Sequence, residues 1–216
     1  MKKNSIEAQT NTTRQNVSSA QGAYPTLKRQ EEAQITSELA ELEMELWEKV
    51  LANPSKVKYQ AACIKEVLNS SDCFSSVEGI ETCLADLCKV ANRKRTPRNN
   101  REYKKIVGKL VPMFIDIDID RELISAALGE ALARSTVRTA EGKAKLQAYG
   151  RSVKKAADDV EAIRHHFIHA NQGLVVLIAG RYHWAKMPMS DLIQEGNLGL
   201  IKAVNRFDHT KGYQFS

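Results

Sequence analysis

A chain of 216 residues with 43% hydrophobic content can bury the core of one large or two small domains, and its formal net charge of +6 is mildly basic. Gly (11) and Pro (5) are scarce, and Ala, Leu, Glu and Lys are common, which favours helix over sheet. No apolar run approaches the roughly 18 residues of a membrane span. Met1 to Gln21 carries Lys2 and Lys3 but lacks the apolar segment of a signal peptide, so a cytoplasmic protein is expected. The four cysteines, Cys63, Cys73, Cys83 and Cys88, form no C-x-x-C pair and have no histidine at zinc-finger spacing. They are expected as reduced, half-buried thiols.

The first segment, 1–25, is rich in Ser, Thr, Asn and Gln and almost free of large apolar groups, the composition of a disordered tail. A helix is predicted from near Gln30. Ile35, Leu39, Leu42, Leu46 and Val50 recur at three- and four-residue steps, and Asn53-Pro54 ends the pattern. Two shorter helices follow. One carries a stripe of Tyr59, Ala62, Cys63 and Val67. The other carries Val77, Ile80, Leu84, Leu87 and Cys88, with Ser75 or Ser76 as N-cap. Between Lys89 and Lys109 stand nine Lys and Arg against the single acid Glu102. The stretch reads as a solvated loop and helix face or as a phosphate-facing surface, with Tyr103 alone available for base stacking.

Ile115 to Asp120 alternates apolar and acidic residues. As a calcium loop it fails, because Arg121 stands where the turn glycine belongs and Ala127 where the bidentate glutamate belongs. The acids instead mark a helix start. Asp118 or Asp120 is expected to cap a helix through Leu123, Ile124, Ala127, Leu128 and Ala131. From Glu141 to His183 a stripe of Ala156, Val160, Ile163, Phe167, Ala170, Leu174, Leu177 and Ile178 predicts one long helix, bent near Gly173. His165 and His169 are an i,i+4 pair, but no Glu lies between them as in H-E-x-x-H. They read as surface histidines.

No phosphate-binding glycine loop, nucleophile elbow or zinc-protease motif occurs in the chain. No catalytic residue, metal or cofactor is expected, and binding is favoured over catalysis. The last predicted helix runs from Ser190 to Phe207. Ser190 or Asp191 would cap it, with Gln194 at capping-box spacing from Asp191. Leu192, Ile193, Gly196, Leu200, Ala203, Val204 and Phe207 form its packing side, and Gly196 and Gly199 suit close helix contact. Asp191, Gln194, Glu195 and Leu198 form another side, fit to grip a partner helix presenting Arg and Gln or simply to meet solvent.

Asp191-Leu192-Ile193-Gln194-Glu195-Gly196-Asn197-Leu198-Gly199-Leu200, followed by Lys202-Ala203-Val204 and Phe207-Asp208, resembles region 2.2 of the bacterial sigma-70 family of transcription initiation factors. Ala170-Asn171, Leu174-Val175-Val176 and Ile178-Ala179 resemble region 2.1. Gly212-Tyr213-Gln214-Phe215-Ser216 resembles the start of region 2.3. Leu27 to Glu48, with Arg29, Glu31 and Glu32, more loosely resembles region 1.2. Two departures stand out: Gln172-Gly173 replaces the usual Leu-Arg, and His183-Trp184-Ala185-Lys186 replaces a more polar turn.

The resemblance implies an all-α fold with a long C-terminal helical hairpin. Its expected segments are a region 1.2-like helix at 26–54, a variable helical insert at 55–140 and core-binding helices at 141–216. It further implies docking on the clamp helices of the RNA polymerase largest subunit through Asp191, Gln194, Glu195 and Asn197, with Gln172 and Val175 near the contact. Tyr213 and Phe215 would stack on promoter bases and Lys211 would meet a phosphate. Because the sequence stops at Ser216 inside the aromatic run, a truncated copy is expected, reading promoter DNA only within a holoenzyme and in complete form. A polymerase-binding regulator that occupies the sigma site without reading DNA, and a helical scaffold unrelated to transcription, remain as alternatives.

Overall fold

The structure, a computed structural model, describes residues 27–70, 78–118, 120–133, 139–182, 187–207 and 213–215. The expected tail at 1–25, Cys73, the caps Ser75 and Ser76, Val77 and the turn at 183–186 lie outside these residues. Eight helices and no strand occur among the described residues, as the composition predicts: α1 (Arg29–Val50), α2 (Pro54–Ser70), α3 (Glu78–Ala91), α4 (Pro97–Ile117), α5 (Glu122–Leu132), α6 (Ala140–Ala170), α7 (Gln172–Arg181) and α8 (Met189–Arg206). They fall into two compact units, one of residues 40–161 and one of residues 1–39 with 162–216.

In the 40–161 unit, α2 packs along α5 and against α3, and α3 packs against α4. Its core holds Leu46, Trp47, Val57, Ile64, Ile80, Leu84, Leu110, Phe114 and Leu123. Trp47 and Phe114 rings meet with centroids 4.6 Å apart. The stripe expected on α2 has the wrong phase: Tyr59 is 59% exposed, and the buried side is Val57, Ala61, Ile64 and Leu68. Gln60 explains the error. A polar residue on the predicted outer face, it is fully buried because its Nε2 donates to the Val50 carbonyl at 2.8 Å.

That carbonyl belongs to a buried helix end. The last carbonyls of α1 have no intrahelical donor, and side chains from three other helices supply one. Tyr149 Oη of α6 donates to Val50 O at 2.6 Å, and Tyr103 Oη of α4 donates to Leu51 O at 2.5 Å. Burial raises both phenols, Tyr149 to about 12, so they remain neutral donors. Tyr103 is thus a buried strut and offers no face for base stacking. Lys56 plays the same part for α5, where its buried Nζ donates to the carbonyls of Glu130 (3.0 Å) and Ala133 (2.7 Å). A cation is favoured at that negative helix end.

The start of α5 is capped as expected, though at longer range. The Asp118 carboxylate accepts from the N–H groups of Leu123 and Ile124, both at 2.8 Å. The chain reaches that geometry through Arg121, whose φ of 63° is costly for a side-chain-bearing residue and whose guanidinium meets Glu43 at 2.5 Å. Ile115 to Ile117, strand-like in sequence, complete α4. Cys63, Cys83 and Cys88 are half-buried free thiols, and burial raises Cys63 and Cys88.

Replacing the cap, Asp118→Ala, should cost about 1–2 kcal/mol in a denaturant titration. Burial pushes the Asp118 carboxyl from 3.8 up to about 6, against the two N–H bonds and Arg121. The native state therefore holds this proton more tightly than the unfolded chain does. Its contribution to stability falls as pH rises through the window between those values. Asp118→Asn should lack that slope when unfolding free energies are compared across the window.

Candidate functional site: the C-terminal hairpin

The other unit builds the C-terminal hairpin around Phe167, Val175, Leu200 and Val204, with Leu27, Ile35, Ile168, Ile193, Phe207 and Phe215 packed against them. The stripe predicted for one long helix holds as far as Ala170 and then shifts. The helix breaks at Asn171, two residues before the expected bend at Gly173. Asn171 is buried and its Nδ2 donates to the Phe167 carbonyl at 2.9 Å, taking up an acceptor that the break releases. Beyond it, Val175, Val176 and Ala179 turn inward while Ile178, expected in the stripe, is 49% exposed.

α7 and α8 pack against each other, and the contact centres on Gly196. A Cβ at Gly196 would lie 2.6 Å from Val175 Cγ1, closer than carbon atoms approach. Gly199 faces open space, so only one of the two glycines expected at the helix contact serves there. Ala203, expected on the packing side, is exposed.

The expected capping box is not formed. Pro188 occupies the N-cap, and its carbonyl accepts from Asp191 N (3.0 Å) and Leu192 N (3.2 Å) without a side-chain cap. Ser190 and Asp191 are the second and third residues of the helix, in its first turn, where Ser190 Oγ donates to Asp191 Oδ1 at 3.1 Å. Proline fits there because its fixed φ suits the start of a helix and the missing N–H is not needed. Asp191 is left to face outward at the positive end of the helix.

The predicted site residues then sort by position. Asp191, Gln194, Glu195 and Leu198 are all exposed, and their i, i+3, i+4, i+7 spacing puts them on one face. Leu198 is 56% exposed and Ile201 continues the face with an apolar side chain in solvent. Asn197 and, on α7, Gln172 are half-buried. Val175, expected near a partner contact, is buried under Gly196 at 4% exposure and seats the hairpin.

The two aromatic residues near the end differ in the same way. Tyr213 is 75% exposed. The Phe215 ring lies 5.0 Å from that of Phe167 and 5.0 Å from that of Phe207, and its N–H donates to Glu32 Oε2 at 3.2 Å. Phe215, expected to stack on a base, is half-buried and packs against the Phe167 cluster in this structure. Glu32, the buried residue of α1 that receives it, carries no sequence signal of that role, because the partners are 183 residues apart. Lys211 lies outside the described residues. Among the described residues no group of His, Cys, Asp and Glu is placed to hold a metal ion, and His165, His166 and His169 are exposed.

The site is thus a helical hairpin with an exposed acid-amide face, and residues 167–216, which contain that face, match the family Sigma-70 region 2. Over this C-terminal stretch the chain is similar to principal sigma factors. The RNA polymerase principal sigma factor HrdC of Streptomyces coelicolor is 47% identical over 66 residues, which cover 31% of this chain and 20% of that protein. The principal sigma factors HrdD of Streptomyces viridifaciens and of Streptomyces coelicolor are 34% and 35% identical over 115 residues, covering 50% of this chain and 35% of each relative. The matched part is therefore a minor share of each relative's length.

Two outcomes follow for stability. Gly196→Ala should destabilise the hairpin by about 1–3 kcal/mol, since a β-branched helical Val175 cannot move aside cheaply. Val175→Ala in the same chain should recover much of that loss in a double-mutant cycle. Phe215→Ala should cost about 2 kcal/mol, below the figure for a fully buried ring, whereas Tyr213→Ala should stay within about 0.5 kcal/mol of wild type. Both are read from thermal or denaturant unfolding.

Proposed function

We propose that this chain acts as a transcription initiation factor, or as part of one, by docking the exposed face of α8 on the clamp helices of the RNA polymerase largest subunit. The observation that carries the reading is that Asp191, Gln194, Glu195 and Leu198 stay exposed on a helix whose opposite side is fixed at the Gly196–Val175 contact. Two carboxylates accept from arginine, Gln194 exchanges amide bonds, and Leu198 with Ile201 supplies apolar contact. That is the mixture a charged amphipathic helix requires of its partner. Asn197 adds a half-buried amide at the edge, and Gln172 stands at the first turn of the neighbouring helix. Tyr213, exposed to solvent, would meet a promoter base, and Lys211, two residues earlier in sequence, would meet a phosphate.

The packing of Phe215 supports a second reading, in which the chain occupies the sigma site on polymerase without opening DNA. Stacking Phe215 on a base would require it to leave Phe167 and Phe207. Crosslinking of the chain, bound to polymerase, to non-template −10 strand DNA separates the two readings.

The docking itself is tested by titrating the full chain against the isolated clamp-helix fragment. Gln194→Ala and Glu195→Lys should each weaken binding by about 1 kcal/mol or more, roughly fivefold in affinity. A folded, helical wild-type chain that does not bind the fragment would overturn the reading.

A further inference from the structure

We propose that the basic face of the 40–161 unit, running from the end of α3 through residues 92–96 onto α4, binds the phosphate backbone of duplex DNA without reading its sequence. The chain's net charge is +6, yet nine Lys and Arg oppose one acid between Lys89 and Lys109. The remainder of the chain is therefore net acidic, and the positive excess is concentrated in this stretch. All nine cations are exposed.

Folding joins them across two helices. Lys89 and Arg93, from the end of α3, line one shallow groove with Lys105 and Lys109 of α4, over Val90 and Ile106. Two cations are already engaged, Lys89 with Asp86 at 3.0 Å and Arg93 with Glu102 at 3.2 Å. The other seven meet no carboxylate within ion-pair distance among the described residues. Arg98, Arg101, Lys105 and Lys109 succeed one another at i, i+3, i+7 and i+11, within an arc of about 80°. At about 1.5 Å of rise per residue they form a stripe about 16 Å long. A duplex presents one phosphate charge per roughly 1.7 Å of axis, so every member of the stripe can find a phosphate. The first turn of α4, opened by Thr96 Oγ1 accepting from Asn99 N at 3.2 Å, contains no acid to oppose an anion.

What the face lacks selects among polyanions. Single-strand binding depends on exposed aromatic platforms, and the one aromatic residue here, Tyr103, is buried with its hydroxyl on Leu51 O. A membrane surface is held by an apolar wedge as well as by charge, and a protein partner by an apolar or aromatic centre. None of the exposed large hydrophobic residues lies between Lys89 and Lys109. Charge in a stripe on a smooth surface is the chemistry of backbone contact, which positions a duplex and carries no sequence information.

The test is fluorescence anisotropy of a labelled 20-base-pair duplex of arbitrary sequence, titrated with the full chain over a series of salt concentrations and with no polymerase present. Wild type should bind with an affinity that falls steeply with salt. The variant Arg98→Gln/Arg101→Gln/Lys105→Gln/Lys109→Gln should bind at least tenfold more weakly at low salt. Its log–log salt slope should be smaller by about three to four, near 0.9 for each lost contact. Lys105→Arg/Lys109→Arg, which keeps the charge, should bind as wild type does and serves if the fourfold variant fails to fold. An unchanged salt slope in a folded fourfold variant would overturn the proposal. So would tighter binding to the single strand than to the duplex. Equal loss on phosphatidylglycerol vesicles with no duplex binding would assign the face to a membrane instead. Failure here leaves the α8 docking reading standing, since that reading is measured on a different partner.

Discussion

Buried helix ends are the constraint on which this all-helical chain depends. Each helix leaves four N–H and four C=O groups without internal partners, and a buried polar group left unpaired costs about 1–3 kcal/mol. In the 40–161 unit the solution is reciprocal. The carbonyls of Val50 and Leu51 draw in Gln60, Tyr103 and Tyr149, so α2, α4 and α6 are pinned to the end of α1 by directional bonds as well as by apolar packing. Lys56 does the same for the end of α5, and Asp118 for its start. Hydrophobic burial alone would allow these helices to slide, whereas bonds to particular carbonyls set their register.

The hairpin solves a different problem. It must present one side of α8 to solvent in a fixed orientation while burying the other. A bare Cα at Gly196 lets α7 approach until Val175 fills the space a side chain would take. Glycine within a helix costs about 1 kcal/mol relative to alanine, and the close contact offsets it. Asn171 ends α6 and starts α7 with its side chain on the Phe167 carbonyl. The cluster around Phe167 therefore receives Leu27 and Ile35 from the start of the described chain and Phe215 from its end. Residues far apart in sequence are tied to the element that carries the exposed face.

Much of this was legible in the sequence, because three-and-four spacing reports directly on helices. The stripe of α1, and those of α3 and α8 apart from Val77, which lies outside the described residues, and Ala203, which is exposed, read correctly for that reason, and the quartet of Asp191, Gln194, Glu195 and Leu198 is exposed on one face. Other features were not legible because they depend on tertiary contacts or on a neighbouring residue. Gln60 and Lys56 are polar residues drawn inside by carbonyls that only tertiary structure brings near, so a periodicity built on apolar residues misplaced the face of α2. Phe215 looks identical in sequence whether it meets a base or a core. The distinction rests on Phe167, Phe207 and Glu32, none of them adjacent to it. The capping box at Asp191 failed because Pro188, three residues before it, already supplies a preorganised start. Val175 sits in a motif that points to a partner, yet its bulk is spent on Gly196.

The two faces of this molecule differ in the range over which they act. The α8 face gathers two carboxylates, an amide and a leucine in two turns, and such a mixture discriminates by fit at contact distance. The stripe on α4 is one sign of charge over some sixteen ångströms. Its field reaches about 8–10 Å at ordinary salt before screening removes it, enough to raise the rate of encounter with a polyanion but not to choose among sequences. An acidic helix face is repelled by the same polyanion that attracts the stripe. On the two proposed readings, a nucleic acid would be disfavoured at the acidic α8 face and a basic partner helix would be disfavoured at the stripe. Specificity of each surface thus rests as much on what the other sign of charge rejects as on what its own side chains attract.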